Sequence, residues 1–368
     1  TMTTEKGNLR AVFHGQDTVV FEGKNTGLRL DMDPAKSIDS AIELKNAEGF
    51  HYINFAKYSA RIRCFAYAVK GTLTLHKENM TGNQYEWPKE KPVVQLIGEP
   101  DENGDLKIVI EEVPYNSKPF QIQDIDVDEQ IAQNNAEWES YLHRFGTLNP
   151  RYAELQRHMI YFMWMCCIEP CGFISRPIIR DTVTYSKSYK YENGLSAMGL
   201  AYGDPQRAYD TIMEFKDIMN EYGCVPGSLT DSVAGWVYMK APNEGWFLQQ
   251  IEKQQPFTQQ QQDEIIEFLS RNTEFYLTCH DSNGDGICEY FYGNESDMDD
   301  MSVFDDHDAI DSPDLTAYLI INMDYISELY SRKGLKEEAA LWKEKADRMM
   351  NKSLEYFFDE QLNLIARD

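Results

Sequence analysis

The apolar positions of this chain change their period part-way along it. From about Leu9 to Val113 they fall in short runs that often alternate with polar residues, such as LRAVF, TVVFEG, GLRLDM, YINFAKYSARIRCFAYAV, TLTLHK, VVQLIG and LKIVIEEV. Gly, Asn, Pro and Asp break the runs. A period of two puts one face of a strand on a core and the other in water, so residues 1–115 are expected to form an antiparallel β-sandwich domain. The DENGD between VVQLIGEP and LKIVIEEV predicts a hairpin turn. Residues 116–148 are more polar and lack strong strand signals, and are read as a linker.

From Glu137 onward the period becomes helical. Ser312 to Arg332 is the clearest case: Ser312 is placed to cap, Pro313 suits the first turn, and Leu315, Tyr318, Leu319, Met323, Ile326 and Leu329 line one face before Gly334. A second helix is expected from Lys336 to Phe358, with Ala339, Trp342, Ala346, Met349, Met350, Leu354 and Phe357 inward, so the two should form an αα-hairpin. Pro205 to Tyr222 follows Gly194 to Ala201 in the same way. Thr258 and Gln261 are spaced for a capping box at the head of another helix. About seven helices with long, unequal connections are expected over residues 149–368. The unequal spacing excludes a tetratricopeptide-type repeat array.

Composition narrows the function. A net charge of −26, from 35 Lys and Arg against 61 Asp and Glu, repels nucleic acid and anionic membranes and is compatible with a neutral substrate. The most apolar stretch, Met159 to Ile168, is too short to span a bilayer. The first residues carry no apolar signal-peptide core. Seven cysteines without a CxxC pair suit free thiols better than a disulfide framework, which leaves the cytoplasm or a bacterial periplasm open as the location.

Chemistry concentrates in GNESDMDDMSVFD, residues 293 to 305, where carboxylates crowd between a loop and a long helix. Cleaving a glycosidic bond needs a carboxylic acid to protonate the leaving oxygen and a second carboxylate to activate water or attack the sugar. Asp299 is the candidate acid, with Glu295 and Asp300 beside it. A solvated acidic loop is the plain alternative. A magnesium cluster for diphosphate chemistry is disfavoured, because the spacing is not DDxxD and no cationic run stands near to receive phosphate.

The same segment resembles the acid motif of glycoside hydrolase family 63 and its trehalase and glucosidase relatives, ESGxDxSxxF/W. Glu295, Ser296, Met298, Asp299 and Phe304 fit the spacing, whereas Asp297 stands where the family has Gly, a position suited to φ > 0. Asp300 and Met301 also depart from the usual small residues or Asn. DSNGDGICEYFYGNES is similar to the family's approach to its acid, and SPDLTAYLIINMDYISELYSRKG to the helix that follows. APNEGWFLQQI resembles the segment that brings a Trp, here Trp246, to the sugar. KYENGLSAMGLAYGDPQRAYD resembles WDSxxxALGLAxxDPxxA, with Tyr191 and Glu192 in place of Trp-Asp.

This resemblance covers residues 149–368 and implies the first part of a six-hairpin (α/α)6 toroid behind the β-sandwich, incomplete in this chain. It further implies an inverting hydrolase acting on terminal α-glucosyl-type linkages of an oligosaccharide. Asp299 would be the general acid, and Trp246, Tyr191, Glu192, Glu295 and Asp300 the substrate contacts. The acid and base carboxylates of inverting enzymes lie about 6.5 to 9.5 Å apart. The family's base is a Glu beyond residue 368, so the rest of the toroid is expected from a longer chain or a partner. Trp246 is equally readable as a core residue and Glu295 as a loop cap. The rival is a non-catalytic carbohydrate-binding or scaffold protein on the same toroid.

Just upstream, Asp281, Asn283, Asp285, the Ile287 carbonyl and Glu289 place oxygens on alternate residues, as calcium loops do. An EF-hand is excluded because Tyr292 stands where its bidentate Glu belongs. A structural Ca²⁺, held at a corresponding loop by some relatives of the resembled family, and a plain Asx-rich turn are both open here.

Overall fold

Residues of high β-propensity at period two build two antiparallel sheets at the start of the computed structural model, which describes residues 1–32, 38–43, 49–57, 60–79, 93–113, 121–147, 149–180, 187–237, 239–298, 302–305, 309–359 and 363–364. The chain divides into one unit of Thr1–Tyr141 with Asp231–Val233, and another of Leu142–Thr230 with Ala234–Asp368. In the first unit, β1 (Met2–Thr3), β2 (Asn8–His14), β3 (Thr18–Lys24), β5 (Ile38–Glu43), β6 (Phe50–Lys57), β7 (Ala60–Lys70) and β10 (Asp105–Val113) form a seven-stranded sheet in the order β1-β2-β3-β10-β7-β6-β5. The strands β4 (Leu28–Met32), β8 (Thr72–Glu78) and β9 (Val93–Glu99) form a second sheet in the order β4-β9-β8.

Alternation along β10 shows how the faces are used. Leu106 and Ile108 pack with Leu9 and Leu28, and so against the three-stranded sheet. Val109 points the other way, into a cluster of Val12, Val20, Phe50, Tyr67, Ile125 and Val127. Val127 opens helix α1 (Val127–His143), so part of the stretch read as linker is helical and covers the outer face of the larger sheet, with Ile131 adding to the contact.

The DENGD turn forms, with the Asp101 carboxylate accepting from the amides of Asn103 and Asp105 at 2.9 Å each and Gly104 at φ +79°. It does not make a hairpin. Strand β10 has β3 and β7 as its two neighbours, so the turn carries the chain from one sheet to the other.

The second unit is mainly helical: α2 (Ala153–Cys166), α3 (Lys190–Leu200), α4 (Pro205–Asp217), α5 (Glu244–Glu252), α6 (Gln259–Cys279), α7 (Pro313–Arg332) and α8 (Lys336–Tyr356). Local sequence explains the starts. Asp204 accepts from the Arg207 amide ahead of Pro205 on α4, and Thr258 and Gln261 close the expected capping box on α6. Ser312 does not cap α7; its hydroxyl donates to the Asp314 carboxylate instead. Gly334, at φ +78°, ends α7 and lets α8 fold back along it.

The apolar face of α7 is buried as expected at Leu315, Leu319, Met323, Ile326 and Leu329, and that of α8 at Ala339, Trp342, Ala346 and Met349. Met350 and Leu354 are exposed, because they lie at the edge of the buried stripe centred on Trp342, Ala346, Met349 and Ser353. Helix α3 packs on α4 and α5, and α5 on α7. All seven cysteines are free thiols. Among the described residues no helix is long and apolar enough to cross a membrane.

Candidate functional site

The amino end of α3 is anchored by a small sheet in which Ser188–Tyr189 pairs with Ser228–Leu229, and that pair with Ala234–Gly235. Lys190, Tyr191 and Glu192 follow directly. Phe247, fully buried on α5, lies across α3 at Gly194, where a Cβ would stand 2.1 Å from its ring. Glycine at 194 is therefore a packing requirement. The ring of Phe247 touches Tyr191 edge-on, with centroids 6.0 Å apart, and Trp246 at 5.2 Å. Tyr191 and Trp246, both partly exposed, are thus brought to one locality.

The segment before α5 is held from three sides. Asn322 of α7 accepts from the Gly245 amide at 3.0 Å and donates to the Pro242 carbonyl at 2.9 Å. The Lys190 ammonium donates to the Ala241 carbonyl at 2.8 Å and to Glu244 at 2.5 Å, with both side chains almost wholly buried. The Tyr276 hydroxyl of α6 donates to the Lys240 carbonyl at 2.7 Å. From this segment the Lys240 ammonium reaches the acidic loop, pairing with Asp297 and contacting Asn294 Oδ1 at 3.4 Å. The Ala241 amide donates to the Glu295 carbonyl at 2.9 Å.

Asp297 takes φ +61°, so the position where the resembled motif has Gly is left-handed in this chain. An Asp tolerates this backbone less readily than Gly, and its pairing with Lys240 helps to hold it. Burial pushes the Asp297 carboxyl up, Lys240 opposes that, and Glu192 adds to it. Tyr318 of α7 is raised by burial and then by the charges of Tyr191, Asp314 and Asp297. Three chain segments, 190–192, 240–246 and 293–297, therefore share one electrostatic environment. Removing one member of a buried ion pair costs about 3–5 kcal/mol because it strands the other charge, so neither lysine can be lost singly without penalty.

Glu295 is buried, and its carboxylate accepts from the Phe291 amide at 2.7 Å and from the Tyr292 amide, which offsets part of the upward push from burial. It caps its own loop. Asp299 and Asp300 lie outside the described residues. The side-chain amides of Asn193 and Asn243 and the second oxygen of Glu244 are buried with no hydrogen-bond partner among the described residues. Sequence reasoning passed over Lys190, Lys240 and Glu244. The available signal was a Lys immediately ahead of each matched motif, KYENG and KAPNEGW, in a chain poor in cations.

The loop read as a calcium site closes on itself. Asp281 accepts from the amides of Asp285 and Gly286 at 2.9 Å each, Asn283 accepts from Asp285, and Asp285 accepts from Ile287. Glu289 turns to Ser282, accepting from its amide at 3.2 Å and its hydroxyl at 2.9 Å. The Lys352 ammonium lies 3.2 Å from Asp285. Among the described residues no group of three His, Cys, Asp or Glu side chains is placed to hold a metal ion. The donor set as folded fits an Asx-rich turn balanced by an ammonium, and no cation is assigned to it.

No protein-family model and no curated protein sequence matches the chain. Solved structures do. A family 92 glycoside hydrolase, an α-mannosidase from Bacteroides thetaiotaomicron, matches with a TM-score of 0.55 at 11% identity, over 98% of this chain and 51% of that one. A bacterial glucoamylase complexed with acarbose matches with a TM-score of 0.53 at 11% identity, over 96% of this chain and 55% of that one. A family 63 mannosylglycerate hydrolase from Thermus thermophilus matches with a TM-score of 0.45 at 11% identity, over 57% of this chain and 66% of that one. The chain spans about half the length of the first two. At these identities the likeness is one of fold, a β-sheet region followed by a helical region.

Proposed function

We propose that this chain carries the acid-bearing part of a glycoside hydrolase, with its sheets arranged as a β-sandwich and its helices as the first part of an (α/α)6 toroid. It acts on terminal α-glucosyl-type linkages of oligosaccharides with inversion, and Asp299 is the general acid. One observation carries the reading: the three segments singled out by their resemblance to family 63 fold into one locality, with Tyr191 and Trp246 flanking Phe247 and the acidic loop clamped to the segment that precedes Trp246. Partly exposed aromatic rings beside carboxylates suit a neutral pyranose ring. The similarity in fold to glycosidases supports the same class. The base carboxylate comes from polypeptide outside residues 1–368.

The test is hydrolysis of a panel of α-linked disaccharides by the protein as encoded by its gene, beside Asp299→Asn, with the product anomer followed by NMR. The variant is expected to lose at least about 100-fold in kcat, the lower end for losing a general acid. Equal activity in variant and parent would sink the assignment. Sugar binding without hydrolysis in either would favour the non-catalytic carbohydrate-binding reading.

A further inference from the structure

Lys240 and Asp297 belong to neither end of the chemistry proposed above, yet they are among the most enclosed charges near it: their side chains are only 8% and 10% exposed. Three observations tie them to the shape of the acidic loop. Asp297 occupies a left-handed backbone position, at φ +61°, that an aspartate seldom takes without support. Lys240 reaches that loop at two points, Asn294 Oδ1 and Asp297 Oδ1, and its neighbour Ala241 bonds the Glu295 carbonyl between them. Lys240 is itself fixed from behind, its carbonyl accepting from the buried Tyr276 hydroxyl.

The other Asp297 oxygen is buried with no partner among the described residues, so the ion pair with Lys240 is the direct contact that compensates this carboxylate, with the Lys190 charge adding to it. With Lys240 gone, a buried carboxylate would stand near Glu192 in a backbone conformation it disfavours. With Asp297 gone, a buried ammonium would lose a carboxylate that pairs with it. With both gone, and Gly at 297, the left-handed turn would be natural and neither member of the pair would be left without the other.

We propose that Lys240 and Asp297 act as one positioning unit, an ionic staple that holds the loop Gly293–Met298 in its turn and so presents the residues that follow it. Neither residue touches the reacting atoms; each acts through the loop. The proposal rests on the glycosidase reading for its catalytic consequence, but not for its structural one.

The experiment is a double-mutant cycle of Lys240→Met and Asp297→Gly in the protein as encoded by its gene. It reads the amide hydrogen exchange of residues 293–298, Tm, and kcat and KM on whichever α-linked disaccharide the parent cleaves. Each single variant is expected to speed exchange in that loop and to lower kcat about 100-fold with KM little changed, the size of effect of a misplacement of about 1 Å. The double variant is expected to regain most of both. Losses that add in the double variant, or single variants whose loop exchange and kcat match the parent, would overturn the staple. If the parent cleaves nothing, the glycosidase reading has failed by itself. The exchange data then decide the staple: faster in each single variant and restored in the double supports it, and any other pattern overturns it.

Discussion

At the scale of single residues, the unusual feature of the second unit is how its acidic groups are compensated. Asp311 lies in the strand pair Glu289–Tyr290 with Ile310–Asp311 and is 4% exposed. Its Oδ2 accepts from the Tyr356 hydroxyl, while its Oδ1 is buried with no partner among the described residues. Burial raises its pKa above the usual carboxyl value, and the charges of Asp285, Glu289 and Asp281 raise it further. The sign of the pH effect follows. Between the unfolded value near 3.8 and the higher folded value, the folded chain binds more protons than the unfolded one, so stability falls as pH rises through that window. Asp311→Asn removes the ionisation and keeps an acceptor for Tyr356. The variant is expected to melt above the parent at pH 7, with the gap closing as the pH falls through that window and closed below about 4. Melting curves from pH 3 to 8 check this; parallel curves for variant and parent would show that Asp311 carries no such burden.

At the scale of elements, close approach of α3 and α5 builds the aromatic group, and Gly194 permits it. Alanine there would improve intrinsic helix propensity by about 1 kcal/mol. Against that, its Cβ would meet the Phe247 ring at 2.1 Å, and Phe247 is fully buried. Overpacking of this kind costs about 1–3 kcal/mol, so packing is expected to win and Gly194→Ala to destabilise. Displacing Phe247 should also disturb Tyr191 and Trp246, which rest on it. Urea unfolding with Trp fluorescence measures both, and a variant more stable than the parent would contradict the packing account.

The same elements show what the sequence could and could not disclose. Period two along β10 and period 3.6 along α7 come from single-chain geometry, and both were readable as residue patterns. The partner of a strand is not such a pattern: DENGD has the chemistry of a hairpin turn, yet β9 and β10 lie in different sheets. Helix α1 was hidden because its first part meets the sheet through two apolar residues, Val127 and Ile131, set among polar ones. The motif residues could be found by resemblance, but the ion pairs that join them could not. Lys190 and Glu244 stand 54 positions apart, and no local rule pairs them.

At the scale of the whole molecule, an apolar surface stands out on α2. Leu155, Met159 and Phe162 follow one another at helical spacing and are 57%, 58% and 60% exposed, while only Ile160 and Cys166 of that helix are buried. A stripe of three large apolar side chains on one helix face is more than the scattered exposure usual on protein surfaces, and water disfavours it. The 368-residue chain on its own is therefore expected to self-associate through this face. Sedimentation velocity over a range of concentrations should reveal species larger than the monomer. The double variant Met159→Lys with Phe162→Lys should shift the distribution toward monomer while leaving Tm nearly unchanged, because substitutions at exposed sites usually alter stability by no more than about 0.5 kcal/mol. If parent and variant sediment alike, the α2 face is not what drives association; if the variant melts well below the parent, the stripe supports the fold of this unit instead.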